Sequence, residues 1–525
     1  MKVELYDTTL RDGTQMEGIS LSVQDKLKIA RKLDELGVHY IEGGWPGSNP
    51  KDAEFFAAAR SLKLDQATIV AFGSTRRAGI APERDANLRA LLKAGTKAVT
   101  LVGKANEMQV RDVLETSLEE NLAMIRDSVA YLKSQGLTVF FDAEHFFDGF
   151  RDNPDYALDC LRAAATAGAQ CLVLCDTNGG TITSRVVEAV AAARALNAPL
   201  GIHAHNDADL AVANTLAAVE AGATHVQGTI NGYGERCGNA NLVSVIANLK
   251  LKMGIDCLTD EQLSHLTEVS HYVSEVANMT PDPQAPYVGM SAFTHKGGLH
   301  VAAVVKAQSS YQHVEPESVG NEKRFLISEL AGQRNVVTKL KEQGFAFSLT
   351  SDEAKRLLEQ VKALEAQGYQ YEGAEASFEL LARRNMPDYE PPFELRDFLV
   401  VVRRHSDPER GQAGEMLAEA AVKVRVGEDT MHTVSEGDGP VNALDLAVRK
   451  ALTVFHPDLQ TVKLVDYKVR IVDSPSGTAA ITRVLLESTD GEHTWATVGC
   501  SPNVIEASWL ALSDSLEWWL TRRPR

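Results

Sequence analysis

The sequence predicts an α/β fold: a closed (β/α)8 TIM barrel, then a mostly helical linker region, then a C-terminal α+β domain with an internal repeat. Three observations lead there. Over the first 250 residues or so, short β-branched runs alternate eight times with helical patterns, and no ninth run follows. Each run is almost continuously apolar, as strands covered on both faces are. Near the C-terminus, "TVSEGDGPVNALDLAVRKAL" is echoed by "TWATVGCSPNVIEASWLALSDSL": a strand end, a Gly-x-x-Pro step, then an apolar helix. A doubly wound open sheet is the rival, and the absence of a Gly-x-Gly-x-x-Gly turn after the first run counts against it.

In chain order the eight runs are "VELYDTT", "YIEGGW", "TIVAFG", "AVTLVG", "TVFFDAE", "CLVLCDT", "LGIHAHN" and "HVQGTING". Between them, apolar residues recur at helical spacing. Ile29, Ala30, Leu33 and Leu36 mark one such face, with Ser22 as its N-cap. Leu114, Leu118, Leu122, Ile125, Val129 and Leu132 mark another. Residues 258–275 and 351–385 read as helices, "NMTPDPQAPYVG" as a Pro-rich connector and "MPDYEPPF" as a linker. The expected domains are 1–257 for the barrel, 258–388 for helical linker subdomains with a flap, and 389–525 for the C-terminal domain. Strand patterns "DFLVVVRR" and "AAVKVRV" precede the first repeat, and "VKLVDYKVRIVD" and "AAITRVLLEST" the second.

Composition narrows the function classes. Across 525 residues, 53 basic against 71 acidic side chains leave a net charge of −18. That argues against a general nucleic-acid or anionic-membrane binder, though a local basic pocket for an anionic substrate remains open. No run approaches the roughly 20 apolar residues of a membrane span. The start, "MKVELYDTTLRDG", lacks a signal peptide's apolar core, so a cytoplasmic protein is expected. Six cysteines without a CxxC pair read as free thiols.

The ends of the predicted strands concentrate polar residues. In "HAHND", His203 and His205 are two apart and so project to the same side at the barrel mouth, where active sites of this fold lie. Alone, the pair reads equally as divalent-metal ligands or as two hydrogen-bonded structural histidines. "DTTLRDGTQ" brings Asp7, Arg11 and Asp12 to the same mouth. A carboxylate from it could complete a two-His, one-carboxylate site, and Arg11 could face a carboxylate or an oxyanion. A salt bridge in a surface turn is the plainer account of Arg11 and Asp12. "FDAEH" places Glu144 there, "CDTNGG" places Thr177, and "GYGERCGNAN" carries Glu235, Arg236 and Asn239. Oxygen and imidazole donors without a thiolate cluster favour Mg, Mn or Zn.

With "DTTLRDGTQ", "HAHND" and "GERCGNA" on such a barrel, the chain resembles the metal-dependent acyltransferase and lyase family that includes the 2-isopropylmalate, homocitrate and citramalate synthases. The stretch "MEGISLSVQDKLKIARKLDELGVHYIEGGWPGSNPKDAEFF" is most similar to the citramalate branch, and "EGDGPVNALDLAV" and "GCSPNVIEASWLALSDSL" resemble the family's C-terminal allosteric domain.

The resemblance implies a Claisen-type condensation of acetyl-CoA with a 2-oxo acid, followed by thioester hydrolysis. It implies Asp12, His203, His205 and Asn239 as metal ligands, Arg11 at the ketone oxygen, Glu144 on acetyl-CoA and Thr177 on the substrate carboxylate. His300, in "THKGGLH", and Tyr311, in "SSYQHV", would assist proton transfer and hydrolysis from a partner subunit, making the enzyme a homodimer. Pyruvate is the expected acceptor. Its methyl group calls for a pocket narrowed by large apolar groups, for which Phe72, Leu101 and Phe141 are the candidates. Isoleucine is the expected effector, with "DSPSGTAA" and "EGDGPVN" as candidate effector loops. A 2-isopropylmalate or homocitrate synthase is the alternative. A hydroxymethylglutaryl-CoA-type lyase would lack residues 390–525, and a non-catalytic amino-acid-binding regulator would not need the intact polar set.

Overall fold

In the computed structural model, which describes residues 2–295, 303, 307, 310–325, 351–371, 373–386, 388–404, 416–472 and 480–522, eight parallel strands close on themselves. They are β1 (Glu4–Asp7), β2 (Tyr40–Gly44), β3 (Thr68–Ser74), β4 (Ala98–Lys104), β5 (Thr138–Glu144), β6 (Cys171–Asp176), β7 (Leu200–Ala204) and β8 (His225–Gly228). Closure comes from β1, which pairs β2 on one side and β8 on the other. Six of the eight predicted runs contain one of these strands whole, and β3 and β4 extend one residue past theirs, to Ser74 and Lys104.

The surrounding helices are α1 (Val23–Leu36), α2 (Pro50–Ala59), α3 (Ala86–Ala94), α4 (Leu118–Ser134), α5 (Phe146–Asp152), α6 (Pro154–Thr166), α7 (Thr183–Ala193), α8 (Ala211–Glu220) and α9 (Leu242–Leu251). Helix α1 starts where expected. The Ser22 side chain accepts from the Asp25 N–H, and the Asp25 carboxylate accepts from the Ser22 N–H. Ile29, Ala30, Leu33 and Leu36 are its buried stripe. Helix α4 departs from the expected span at its start. Ser117 caps it by accepting from Glu120 N–H, so Leu114 lies outside, after a wide turn over Gln109–Val113.

Strand alternation sorts the barrel's side chains. Tyr6, Tyr40, Val70, Ala98, Phe140, Cys171, Val173 and Cys175 pack together inside the barrel. Their neighbours at odd spacing, such as Leu5, Ile41, Val99, Leu101, Phe141 and Leu172, join the core between strands and helices. Residues up to Phe293, with His313–Lys323, form this first compact unit. It includes helices Asp260–Leu263 and Leu266–Val276, over the stretch 258–275 that reads as helical.

The second unit comprises Thr294–Gln312 and Arg324–Arg525. Its repeat is real in three dimensions. Two three-stranded antiparallel sheets, Glu394–Arg404/Met416–Val426/Asp429–Gly437 and Lys463–Ile471/Thr482–Thr489/Thr494–Ser501, are each followed by a helix, Pro440–Leu452 or Val504–Thr521. The same contact locks both halves: Thr433 Oγ1 donates to Ala447 O, and Thr497 Oγ1 to Ala511 O, each at 2.7 Å. Helix Glu375–Arg384 joins this unit. Ser377 Oγ accepts from Val498 N–H and donates to Asp514 Oδ2. Of the two candidate effector loops, "EGDGPVN" leads into the first repeat helix, whereas "DSPSGTAA" lies outside the described residues except for Ala480. Among the described residues, no helix is long and apolar enough to cross a membrane. The cysteines are free thiols, with Cys160, Cys171, Cys175 and Cys257 buried.

Candidate active site

At the C-terminal ends of the strands lies a cavity of about 630 Å³. One wall is a buried cluster of Asp12, His203 and His205, whose ligand atoms lie within 4.8 Å of one another. Strand period brings the two imidazoles together, with Nε2 atoms 3.3 Å apart. Asp12, from the turn after β1, places Oδ2 3.2 Å from His203 Nε2 and 3.9 Å from His205 Nε2. Barrel closure makes this possible, because β1 and the last two strands are neighbours on the ring.

Asn239 completes the cluster. The loop after β8 is clipped to the end of β7: Asn206 N–H donates to Gly238 O at 2.8 Å, and Arg236 donates to both oxygens of Asp207 and to Thr177 O. Asn239 Nδ2 thereby sits 2.9 Å from Asp12 Oδ2 and 3.1 Å from His203 Nε2, while its buried Oδ1 meets no hydrogen-bond partner among the described residues. The two ends of an amide exchange places by rotation, which would turn the carbonyl oxygen toward the cluster.

The electrostatics suit a cation. Burial opposes charge on Asp12, yet Arg11, His203 and His205 hold its carboxyl far below the usual carboxylate range. Burial and neighbouring His203 push His205 down to about 4, so its imidazole is neutral at neutral pH. Burial opposes a charged His203 as well, but Asp12 beside it raises its pKa, so the site favours positive charge at this position. Two imidazole nitrogens, a carboxylate and an unpartnered amide oxygen therefore fit a divalent metal.

Arg11 stands next to the cluster and is rigidly held. Its Nε donates to Glu42 Oε1 at 2.5 Å, Nη1 lies 3.4 Å from Asp12 Oδ1, and its guanidinium carbon lies 4.0 Å from the Phe72 ring centroid. Trp45 meets Phe72 edge-on, and its Nε1 donates to Asn87 Oδ1. Glu42 in turn accepts from the Tyr6 hydroxyl at 2.5 Å. Arg11 is thus no surface salt bridge; its side chain is 13% exposed and lines the cavity.

Across the cavity, Glu144 pairs with Lys104, Oε2 to Nζ 2.5 Å. The Thr177 hydroxyl accepts from His145 N–H at 2.8 Å, which leaves its own O–H to donate into the cavity it lines. Of the expected apolar wall, Phe72 lines the cavity, but Leu101 and Phe141 do not. Each lies three residues before an inward side chain, Lys104 or Glu144, and an odd offset on a strand points outward. Both are fully buried against the helices, where the Phe141 ring crowds Gly103. Val102 and Asp142 occupy the inward positions instead. Tyr311 is exposed and belongs to the second unit, and His300 lies outside the described residues.

Sequence reasoning passed over Glu42, Trp45, Lys104, Asp142 and Gln227. Parity with Glu144 would have found Asp142, and strand-end position would have found Lys104. Gln227 Oε1 lies 2.8 Å from His203 Nδ1, a contact that no sequence spacing announces.

Comparison with known proteins agrees with this geometry. Residues 2–273 match the HMGL-like family model, residues 287–369 the homocitrate synthase post-HMGL domain-like model, and residues 372–520 the LeuA allosteric (dimerisation) domain. The fold and site therefore define a HMGL-like barrel enzyme with a LeuA-type C-terminal domain. The chain is 52% identical to the (R)-citramalate synthase of Geobacter sulfurreducens over 519 residues, covering 99% of this chain and 97% of that one. It is 53% identical to the (R)-citramalate synthase of Synechocystis over 525 residues, covering 98% and 96%. Identity to the 2-isopropylmalate synthase of Methanocaldococcus jannaschii is 30% over 529 residues, covering 100% and 96%. The chain belongs to the (R)-citramalate synthase family.

Proposed function

We propose that the chain condenses acetyl-CoA with pyruvate and hydrolyses the resulting thioester to (R)-citramalate and CoA. The observation that carries this reading is Arg11, fixed between Glu42 and Phe72 beside the Asp12–His203–His205 cluster. That arrangement offers a 2-oxo acid a cation site and a guanidinium on one side of its ketone. A divalent ion (Mg, Mn or Zn) held by Asp12, His203, His205 and Asn239 would act as a Lewis acid on the ketone.

The chain's own side chains carry the other roles. The Thr177 O–H donates a hydrogen bond to the substrate carboxylate, while its oxygen accepts from His145 N–H. Arg11 donates to the ketone oxygen and meets its charge as the new bond forms, with no reorganisation because its position is set beforehand. Glu144 removes a proton from the acetyl methyl group. His300 and Tyr311 assist hydrolysis, reaching the site from a partner subunit. The Phe72 and Trp45 rings, with Val102, restrict the acceptor's tail to a methyl group.

The C-terminal unit makes the protein a homodimer and binds isoleucine as feedback inhibitor. Support comes from the match to an allosteric dimerisation domain and from Val465, Val469 and Ile471, which lie exposed along the strand Lys463–Ile471 as apolar surface that a second copy would cover.

The test is an assay of CoA release with a panel of 2-oxo acids. Pyruvate should give the highest kcat/KM. Preference for 2-oxoisovalerate would replace the reading with 2-isopropylmalate synthesis, and preference for 2-oxoglutarate with homocitrate synthesis.

A further inference from the structure

We propose that Lys104 is a catalytic residue of the condensation, its ammonium stabilising the enolate oxygen formed when Glu144 takes a proton from the acetyl methyl group. The inference rests on the role proposed above for Glu144. Lys104 ends β4 and Glu144 ends β5, and the two are register partners. Their side chains meet at 2.5 Å and both line the cavity. The strand ends beneath them are pinned: Asn121 Nδ2 donates to Lys104 O, and Ala105 N–H donates to Glu144 O, each at 2.9 Å. The pair is thus held at a set spacing, facing the substrate space. An ammonium has three N–H donors, and the contact with Glu144 takes one.

The chemistry gives the cation a task. A methyl C–H bond of the acetyl group breaks, the proton goes to the Glu144 carboxylate, and the electron pair forms a C=C bond. The thioester π pair moves to its oxygen. The C=C pair of the enolate then attacks the ketone carbon of pyruvate and forms the C–C bond, the thioester C=O re-forms from the oxygen's pair, and the ketone π pair becomes an alkoxide beside Arg11. In the first step one negative charge moves from Glu144 to the thioester oxygen, and no net charge is created. A fixed cation next to both positions stabilises the charge throughout its transfer. Without it, a weakly acidic thioester α-proton must pass to a carboxylate with nothing to offset the enolate.

The full-length, metal-loaded enzyme tests this with acetyl-CoA and trideuteroacetyl-CoA. Lys104→Met should lower kcat about 10²- to 10³-fold, leave the pyruvate KM within about twofold, and enlarge the deuterium isotope effect on kcat. Lys104→Arg should recover part of the loss. Lys104→Gln, which keeps a donor but no charge, gives the same reading should Lys104→Met prove unstable. A kcat within about threefold of wild type, or a fall with an unchanged isotope effect, would overturn the proposal. Glu144→Gln separates the two ideas. If it keeps turnover, the base assignment falls and the enolate role falls with it. If it is inactive while Lys104→Met is normal, only the Lys104 inference is lost.

Discussion

Gln227 joins two side chains of the barrel interior: its Oε1 lies 2.8 Å from His203 Nδ1, and its Nε2 donates to Asp142 Oδ1 at 3.1 Å. The amide oxygen is an obligate acceptor, so His203 carries a proton on Nδ1 and directs Nε2 at Asp12 and His205. Partners of this kind typically change metal affinity 10- to 100-fold. Gln227→Leu should therefore weaken Mn²⁺ binding by about that factor, read by equilibrium titration, while Gln227→Glu, still an acceptor, should retain it. Unchanged affinity in Gln227→Leu would show that His203 needs no such orientation.

Arg11 and lysine are not interchangeable in this setting. Its Nε is committed to Glu42, its face to Phe72, and its remaining N–H groups to Asp12 and the cavity. Arg11→Lys keeps the charge but not the fork. Turnover should fall about 10²- to 10³-fold, with a smaller change in the acetyl-CoA KM. Steady-state kinetics on both substrates would show it.

Chelation should abolish turnover, and addition of Mg, Mn or Zn should restore it. His203→Ala should bind Mn²⁺ at least about 10-fold more weakly. An Ala variant with wild-type turnover would remove the metal assignment.

Asp7 offers a pH test away from the proposed ligands. Burial pushes its carboxyl up to about 7, against the hydrogen bonds from Thr9. The folded state then holds a proton that the unfolded state gives up near pH 4. Stability from this group is full below pH 4 and is lost as pH rises through 7, at up to about 1.4 kcal/mol per pH unit. Asp7→Asn cannot ionise, so its stability relative to wild type should rise between pH 5 and 8. Urea melts across that range would read the difference, and parallel pH profiles for the two proteins would contradict it.

Truncation has a structural boundary. Buried Glu379 accepts from Trp518 Nε1, Arg383 and Arg522, and Arg384 pairs with Asp514 and Glu517. A chain cut at residue 390 keeps Arg383 on Glu379 but removes Trp518, Arg522, Asp514 and Glu517 and uncovers Phe378 and Leu380, so helix Glu375–Arg384 should become protease-sensitive. A cut at residue 323 avoids that exposure. Limited proteolysis of the two truncations compares them directly.

Much of this was legible beforehand because it is written locally. Ser22 with Asp25 marks the start of α1, and His203 with His205 carries strand period two. The repeated strand–helix pattern announces its own symmetry. Leu101 and Phe141 show the limit. In strands apolar on both faces, composition does not say which face turns inward, and only an inward neighbour of known parity decides it. Leu114 shows another: helical spacing continued past Ser117, but the cap hydrogen bond stopped the helix.

By itself the sequence determined the number of strands, the helix faces, the repeat and the residue types available at the mouth. These follow from side-chain period and from backbone rules acting over a few residues. The tertiary structure alone decided that Asp12 and Asn239 meet the histidines and that Lys104 faces Glu144. It also decided that Gln227 and Asp142 stand behind His203 and that Trp45 braces Phe72. Those neighbours come from different strands, and what brings them together is closure of the barrel and the register between its strands. The hydrogen-bonded pairing of β1 with β8 is a long-range event that no short stretch of chain encodes.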